Sequence, residues 1–198
     1  MSIFFEKTSK TFFLDGKNVT YAFFINNYNY AEHLYFGKKI PHDDLRFTRA
    51  WGRLSCEAYQ KGFDPLNTIP SELAFYGTGD YREPAVLAES EKGDRLSVLL
   101  YQGYEILKEK PEIKGMPSMS GGETLVIYLK DNVSGFSAEL YYTVYDDVDV
   151  IARHTVFKNN SKSDVTLHRA YSFSFGIPTG EYEMLSLYGG WATERHID

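Results

Sequence analysis

A side-chain period close to two runs through residues 138–145, which read AELYYTVY, and through residues 165–173, which read VTLHRAYSF. A third run, TLVIYL at residues 124–129, is built from the same β-branched and aromatic residue types. Such residues fit a pleated, half-buried surface, so the three runs predict β-strands. No window of ten or more residues places apolar side chains at i, i+3, i+4 and i+7 behind a capping residue, so little helix is predicted, at most a short one at residues 54–59.

Two places in the chain predict strands that follow one another directly. Asp15 and Gly16 lie between the strand-like runs at residues 11–14 and 19–25, and both residue types tolerate the positive φ of a tight hairpin turn. Residues 150–157 lead through the polar stretch 158–163 into the run that starts at Val165. The sequence therefore predicts an opening hairpin and a later two-strand unit closed by a polar turn.

The spacing of the runs predicts the architecture. About ten or more short strands with turns every 8–12 residues or so indicate an all-β fold, a large two-sheet β-sandwich, and the 198 residues suit one domain spanning 1–198. The 16 tyrosines and 14 phenylalanines are wide enough to fill the space between two broad sheets. Residues 36–84 contain several prolines and glycines, and they are predicted to form a long, ordered, irregular excursion with a functional or interfacial role.

Composition excludes several classes of function. The net charge of −6 gives no basic surface for nucleic acid or for an anionic membrane. The single cysteine, Cys56, excludes an intrachain disulfide framework and a paired-cysteine metal or redox site. Charged residues interrupt every apolar run well before the length of about 20 residues that a membrane span needs. We therefore expect a cytoplasmic protein that needs no cofactor.

Two clusters of acidic residues, one of them with a histidine, are candidates for a catalytic or metal site. The cluster at residues 146–149 lies between two predicted strands, where acids most often form a solvated turn. His42, Asp43 and Asp44 are adjacent, without a further ligand at characteristic spacing, so a surface turn is predicted rather than a metal site. No nucleophile-elbow motif occurs. The sequence predicts no catalytic residue and no metal.

Two segments stand out as candidate contact sites. In YGTGDYREPA, residues 76–85, glycines permit a bend that presents Asp80 and Arg82 on one face, either as a self-paired structural turn or as a contact to sugar hydroxyls or a subunit. In LYGGWATERH, residues 187–196, Trp191 follows two glycines. Its ring can stack on a pyranose or close over the core as a lid.

Five segments of the chain together resemble the N-terminal domain of bacterial family 36 α-galactosidases, the melibiose- and raffinose-cleaving type. The segments occur in the family's order and are AEHLYFGKKI at 31–40, GDYREPA at 79–85, GMPS at 115–118, RAYS at 169–172 and WATERH at 191–196. The resemblance implies a β-supersandwich of the galactose-mutarotase-like kind. It also implies a catalytic (β/α)₈ barrel and a C-terminal β domain, neither of which matches any segment here. The chain on its own is therefore expected to be inactive.

The resemblance also implies a role for the domain. In the family, two aspartates on the barrel hydrolyse terminal α-galactosides with retention, while this domain supports the barrel and forms a homo-tetramer whose loops reach a neighbouring active site. Residues 46–53 and the turn at residues 80–82 are then the expected contacts. The expected substrate or inter-subunit contact residues are Asp80, Tyr81, Arg82, Arg49, Trp51 and Trp191.

Two other functions stay open at this point. One is a free-standing carbohydrate-binding sandwich, suggested by Trp51 and Trp191. The other is an aldose 1-epimerase-like enzyme, because that family has a related supersandwich and uses a His/Glu pair. The histidines available for it are His33, His42, His154, His168 and His196.

Overall fold

The computed structural model describes residues 2–49, 69–76, 80, 82–116, 119–177 and 180–197. The regular secondary structure of the described part is almost entirely β, as predicted, and the one exception is a short 3-10 helix. Its strands are β1 Ile3–Glu6, β2 Thr11–Asp15, β3 Val19–Ile25, β4 Ala31–Lys38, β5 Val86–Ser90, β6 Leu100–Leu107, β7 Glu123–Lys130, β8 Phe136–Tyr145, β9 Val150–Asn159, β10 Val165–Ala170, β11 Leu187–Tyr188 and β12 His196–Ile197.

The first sheet is an antiparallel meander in the order β1-β2-β3-β4. The predicted opening hairpin is confirmed, because β2 pairs with β3 and Asp15 lies opposite Thr20. The turn is closed by a hydrogen bond from the Gly16 amide to the Val19 carbonyl (2.9 Å) and by the Thr20 hydroxyl, which donates to the Asp15 carboxylate (2.6 Å). Neither Asp15 nor Gly16 adopts the positive φ on which the prediction of this turn was based, so hydrogen bonds close the turn instead.

The second sheet is another antiparallel meander, in the order β6-β7-β8-β9. It contains two of the three runs that predicted strands, as β7 and β8. Along β8 the burial alternates from Phe136 to Tyr142, and the last four residues are all buried, Tyr142 and Val144 completely. The acidic residues 146–149 form the turn between β8 and β9, and Asp146, Asp147 and Asp149 are exposed there, as predicted.

The two meanders pack face to face, so the predicted two-sheet sandwich is confirmed. Phe23 on β3 stacks on Tyr142 on β8, with ring centroids 5.1 Å apart. Phe12 on β2 meets Tyr104 on β6 edge to face at 5.0 Å. Such aromatic pairs add directional energy to the burial of large apolar areas, and they fix the two sheets against each other.

The strand β2 is buried on both faces, which explains why its sequence, TFFLD, does not alternate. Phe12 and Leu14 face the space between the sheets, whereas Phe13 belongs to a second cluster with Leu45. Leu45 begins a 3-10 helix, Leu45–Thr48, that is capped by the Asp44 carboxylate. The start of the irregular excursion therefore covers the outer face of the first sheet. The helix expected at residues 54–59 lies outside the described residues.

One predicted pairing is wrong. The turn after β9 does not close a β9–β10 hairpin: β9 pairs with β8, and β10 pairs with β5 in a separate two-stranded ribbon. Val86 and Ala88 of β5 are buried in the main core, and Val165 at the start of β10 packs against that core. The polar turn is compatible with a β9–β10 hairpin and also with the observed pairing of β10 with β5. The observed pairing is favoured because it buries β5 in the core. No helix within the described ranges is long and apolar enough to cross a bilayer.

Candidate functional site

A buried polar cluster lies between the two sheets and is centred on Glu72, whose side chain is fully buried. The Tyr21 and Tyr142 hydroxyls each donate to its carboxylate at 2.7 Å. The Nδ1 atom of His33 lies 3.1 Å from the same carboxylate, and an Arg153 nitrogen lies 3.2 Å from it. The cluster therefore collects side chains from β3, β4, β8 and β9 around one acid from the later part of the segment 36–84.

The charges of this cluster compensate one another. Burial alone would raise the pKa of Glu72, but Arg153, His33 and Tyr142 together lower it below its ordinary value. The pKa values of Tyr21 and Tyr142 are raised well above the ordinary range, chiefly by burial, so both hydroxyls keep their protons. Glu72 is thus an ionised acceptor held by donors, which is a structural arrangement and not that of a general acid, whose pKa must be raised.

A cavity of about 400 Å³ opens beside this cluster. Its walls include Phe36, Phe173 and Phe175, and Arg153 and Asp149 contribute charged groups. The Arg153 guanidinium lies over two aromatic rings, 4.5 Å from the centroid of Tyr142 and 5.5 Å from that of Phe173. Aromatic walls with a few polar groups are typical of sites for small ring-shaped ligands.

Arg49, a predicted contact residue, forms a two-pronged ion pair with Glu32 on β4. Its Nε and Nη2 atoms donate to the two carboxylate oxygens at 2.7 and 2.9 Å. The Arg49 side chain is only 12% exposed and that of Glu32 only 2% exposed. The guanidinium also lies 5.2 Å from the centroid of the Phe24 ring. Arg49 is therefore held against the sandwich by a buried carboxylate.

Asp80 and Arg82, the second predicted pair, do share a face and bond to each other. The Nε and Nη2 atoms of Arg82 donate to the Asp80 carboxylate at 2.9 and 2.7 Å, and Nη2 also donates to the Ile69 carbonyl at 2.7 Å. Asp80 is buried, whereas 43% of the Arg82 side chain is exposed. The pair thus binds the backbone at Ile69, the first residue of the described range 69–76, and part of the Arg82 side chain is exposed to solvent. Tyr81 lies outside the described residues, as does Trp51.

Trp191 lies at the tip of the β11–β12 hairpin and is 96% exposed, so it does not close over the core as a lid. A Cβ atom at Gly189 would lie 2.3 Å from the Thr193 carbonyl oxygen, so only glycine permits this tight turn. Neighbouring large apolar residues are exposed as well, among them Met184 and Leu185. The hairpin presents an apolar surface with a tryptophan at its tip.

Two of the remaining acidic and histidine candidates, Asp149 and His42, have structural roles. Asp149 accepts hydrogen bonds from the amide (2.5 Å) and the side chain (2.9 Å) of Asn18, which ties the β8–β9 turn to the first hairpin. His42 lies 2.8 Å from the Asp15 carboxylate and stacks on Phe13, so it fastens the start of the excursion to β2. Within the described ranges, no group of three or more metal-binding side chains is found.

Five carboxyl groups in the described part of the chain have pKa values that are shifted downward. They are Glu6 and Asp44, each to about 2, together with Glu72, Glu89 and Asp149. A glycosidase needs one carboxyl with a raised pKa to protonate the leaving oxygen. These five groups are acceptors in ion pairs, caps and turns.

A protein-family profile described as the glycosyl hydrolase family 36 N-terminal domain matches residues 29–198. The chain belongs to this family. The family 36 domain is 33% identical, over its whole length, to α-galactosidase AgaA of Geobacillus stearothermophilus, of which it covers 28%. It is 32% identical, also over its whole length, to the bifunctional α-galactosidase/sucrose kinase AgaSK of Mediterraneibacter gnavus, of which it covers 22%.

Solved structures give the same relationship. The family 36 domain superposes over its whole length on α-galactosidase AgaB of Geobacillus stearothermophilus with a TM-score of 0.87 and 31% identity, covering 28% of that chain. An AgaA variant in complex with raffinose matches 96% of the domain with a TM-score of 0.83 and 34% identity. The chain therefore spans about a quarter of the length of the relatives that it matches.

Of the predicted site residues in the described part, the structure brings Asp80 and Arg82 together as an ion pair. Arg49 is paired separately, with Glu32. Trp191 belongs to the separate β11–β12 hairpin. Sequence reasoning did not find the Glu72 cluster, because its members are scattered over five segments and none forms a motif with another. The only signal was a pair of charged residues, Glu72 and Arg153, within otherwise apolar stretches.

Proposed function

We propose that this domain is the N-terminal, non-catalytic part of an α-galactosidase that hydrolyses terminal α-galactosides with retention of anomeric configuration. The main observation behind this proposal is that the chain matches, over its whole length, relatives named as α-galactosidases, and it covers about a quarter of their length. Melibiose and raffinose-type oligosaccharides are the proposed substrates, in line with the raffinose complex of one structural relative. The catalytic groups are expected in a portion corresponding to the other three quarters of those relatives.

The lowered pKa values of the described carboxyl groups favour a non-catalytic role for the domain. Glu72 is fully buried and ionised, with four donors around its carboxylate, and the described groups Glu6, Asp44, Glu89 and Asp149 also have lowered pKa values. A retaining glycosidase needs two carboxyl groups about 5–5.5 Å apart on either side of the bond, one of them able to donate a proton. We therefore expect the chain alone to be inactive.

The domain is further proposed to support the catalytic barrel and to assemble a homo-tetramer. Residues 46–53, the turn at residues 80–82 and Trp191 are the proposed contacts to substrate or to a neighbouring subunit. The near-complete exposure of Trp191, Met184 and neighbouring apolar side chains supports this role, because large exposed apolar surfaces mark interaction sites. A cytoplasmic location also stays a prediction, which fractionation of the producing cell tests.

Hydrolysis of p-nitrophenyl α-galactoside tests the proposal. The full-length parent protein is expected to release nitrophenol, and the 198-residue chain at the same molar concentration is expected to release none. Light scattering on the full-length protein, coupled to size exclusion, is expected to give the mass of a tetramer. Activity in the chain alone would contradict the non-catalytic role, and a monomeric parent would contradict the assembly role.

A second candidate function, carbohydrate binding by the sandwich itself, is supported by the aromatic cavity beside Arg153 and by the exposed Trp191 ring. Both offer apolar faces on which a pyranose can stack. Isothermal titration of the chain with galactose, melibiose and raffinose tests it. Absence of heat at millimolar sugar would remove this candidate, and binding would favour it.

A further inference from the structure

The cavity beside Arg153 is lined by parts of the chain that are far apart in sequence. Tyr21 of β3 and Phe36 of β4 line it from the first sheet, and Arg153 of β9 lines it from the second. Phe173 and Phe175 line it from the segment that follows β10. Its volume of about 400 Å³ lies within the range of about 300–1,000 Å³ that is usual for small-molecule sites, so a single sugar ring fits in it.

Three of the aromatic side chains contact one another on the wall of this cavity. The Phe175 ring meets that of Phe36 edge to face, with ring centroids 5.8 Å apart, and its centroid lies 6.3 Å from that of Tyr21. About half of the Phe36 side chain and about half of the Phe173 side chain are exposed. The cavity therefore presents apolar ring faces on which the C–H face of a pyranose can pack.

The segment after β10, which carries part of this wall, is fastened to β9. The Thr155 hydroxyl donates to the Ser172 carbonyl at 2.8 Å. The Nη1 atom of Arg153 donates to the Ser174 carbonyl at 3.5 Å. The wall is therefore fixed by the protein itself, and a fixed wall lowers the entropy cost of binding a ligand.

The Arg153 side chain supplies a hydrogen-bond donor to the cavity. It is only 9% exposed, and both of its terminal nitrogens are occupied, Nη1 by the Tyr21 hydroxyl and the Glu72 carboxylate and Nη2 by the Tyr142 hydroxyl. Its Nε atom has no acceptor among the described residues. Because a buried N–H group without an acceptor is costly, such a group is normally satisfied by ordered water or by a bound molecule.

Asp149 contributes an acceptor to the same cavity. Its two carboxylate oxygens each accept one hydrogen bond from Asn18, and a carboxylate offers about four acceptor positions. The cavity thus combines one positive and one negative side chain. A charged ligand would face a like charge, whereas a neutral ring with hydroxyl groups can accept a hydrogen bond from Arg153 and donate one to Asp149.

We propose that this cavity is the carbohydrate site of the sandwich and that it takes a neutral hexopyranose such as galactose. The rings of Phe36 and Phe173 pack against the sugar ring. The Arg153 Nε atom donates to one hydroxyl, and the Asp149 carboxylate accepts from another. The inference rests on the second candidate function, carbohydrate binding by the sandwich, and deepens it by assigning the site to the cavity instead of to Trp191.

A titration of the 198-residue chain with galactose, followed by proton–nitrogen correlation spectra, tests the site. The chain is used alone because its two sheets form a core of their own, and because a catalytic portion of the parent would bind galactose as well. The amides of residues 149–153 and 172–176 are expected to shift in a saturable manner at millimolar galactose. Their titration curves give the Kd.

Two variants with matched controls test the roles of the side chains. Phe173→Leu is expected to raise the Kd by about tenfold and Asp149→Asn by about fivefold, because one loses a ring face and the other a charged acceptor. The control for the first is Tyr171→Leu, since Tyr171 lies in the same segment and is 52% exposed, as Phe173 is. The control for the second is Asp147→Asn, in the same turn. Neither control residue lines the cavity in the described structure, and both controls are expected to leave the Kd unchanged.

The outcomes separate the site from the function. Saturable shifts confined to residues 187–197 would keep carbohydrate binding but overturn the cavity as its site. An unchanged Kd in both cavity variants would overturn it as well. If galactose causes no saturable shift at millimolar concentrations, the second candidate function and this inference fail together. If one cavity variant does not fold, the position of the shifts in the wild type and the Kd of the other variant decide.

Discussion

Replacing Glu72 by glutamine is the sharpest test of how the two sheets are joined. The substitution preserves the shape of the side chain but removes the charge that faces Arg153, whose side chain is only 9% exposed. Arg153 then keeps its hydrogen bonds to the Tyr142 hydroxyl (3.2 Å) and to the Glu72 carbonyl (3.1 Å), both of them neutral acceptors. The Arg153 guanidinium then remains buried without the Glu72 carboxylate that balanced its charge.

The magnitude follows from this burial. Breaking a buried ion pair by removing one partner costs about 3–5 kcal/mol, whereas an exposed pair contributes about 0–1 kcal/mol. Single domains have a total stability of about 5–15 kcal/mol. We therefore expect Glu72→Gln to lower the free energy of unfolding by about 3–5 kcal/mol, a large share of the total.

Urea unfolding, followed by circular dichroism and intrinsic fluorescence, measures this loss. The control is Lys158→Gln, which breaks the pair of Lys158 with Glu139 in which the lysine is half exposed, and it is expected to cost at most about 1 kcal/mol. A double variant, Glu72→Gln with Arg153→Met, is expected to lose less than the sum of the two single variants. A loss below about 1 kcal/mol for Glu72→Gln would refute the assignment of a buried, ionised cluster.

Three further predictions concern pH, backbone conformation and exposure. The pKa of Glu72 is lowered in the folded state, so its ionised carboxylate stabilises the fold fully above about pH 4.3, the pKa of an unfolded glutamate. This stabilisation is lost as the pH falls through the lower pKa of the folded state. Glu72→Gln is therefore expected to make the free energy of unfolding depend less on pH in the acid range. Gly122 and Gly93 both have φ near +80°, but a Cβ at Gly122 would lie 2.6 Å from Thr143 Cγ2, whereas a Cβ at Gly93 would meet open space. In urea unfolding, Gly122→Ala is therefore expected to cost about 1–3 kcal/mol more stability than Gly93→Ala. Equal costs would contradict the packing argument. In a Trp51→Phe background, Trp191 of the chain alone is expected to be quenched by acrylamide nearly as fast as free tryptophan, and to be protected in the full-length protein; equal quenching in both would argue against a contact at Trp191.

Local chemistry predicted much of the fold. The Asp15-Gly16 turn, the strands β7 and β8 and the exposed acidic turn at residues 146–149 are decided by neighbours in sequence, so the pattern was sufficient. The partner of β10 was not predictable in this way. The turn after β9 allows a hairpin, but pairing with β5 buries Val86 in the core, and that gain appears only in three dimensions.

The candidate site was predictable only in part. Asp80 and Arg82 were expected to share a face, and their side chains do meet, because the two residues are only two positions apart in the chain. Their contact to a substrate or subunit stays a prediction. The partners of Arg49 and Arg153 were not predictable, because Glu32 and Glu72 lie 17 and 81 residues away from them in the chain and no local pattern links them.

The ribbon of β5 and β10 has a consequence for the order of folding. Each four-stranded meander joins strands that are consecutive in the chain, so its pairings close short loops and can form early. The ribbon instead pairs Val86 with Ala170, and this contact must close a loop of more than 80 residues. We therefore expect the ribbon to form last, after the two meanders have met, and to set the slowest step by which the sandwich is completed.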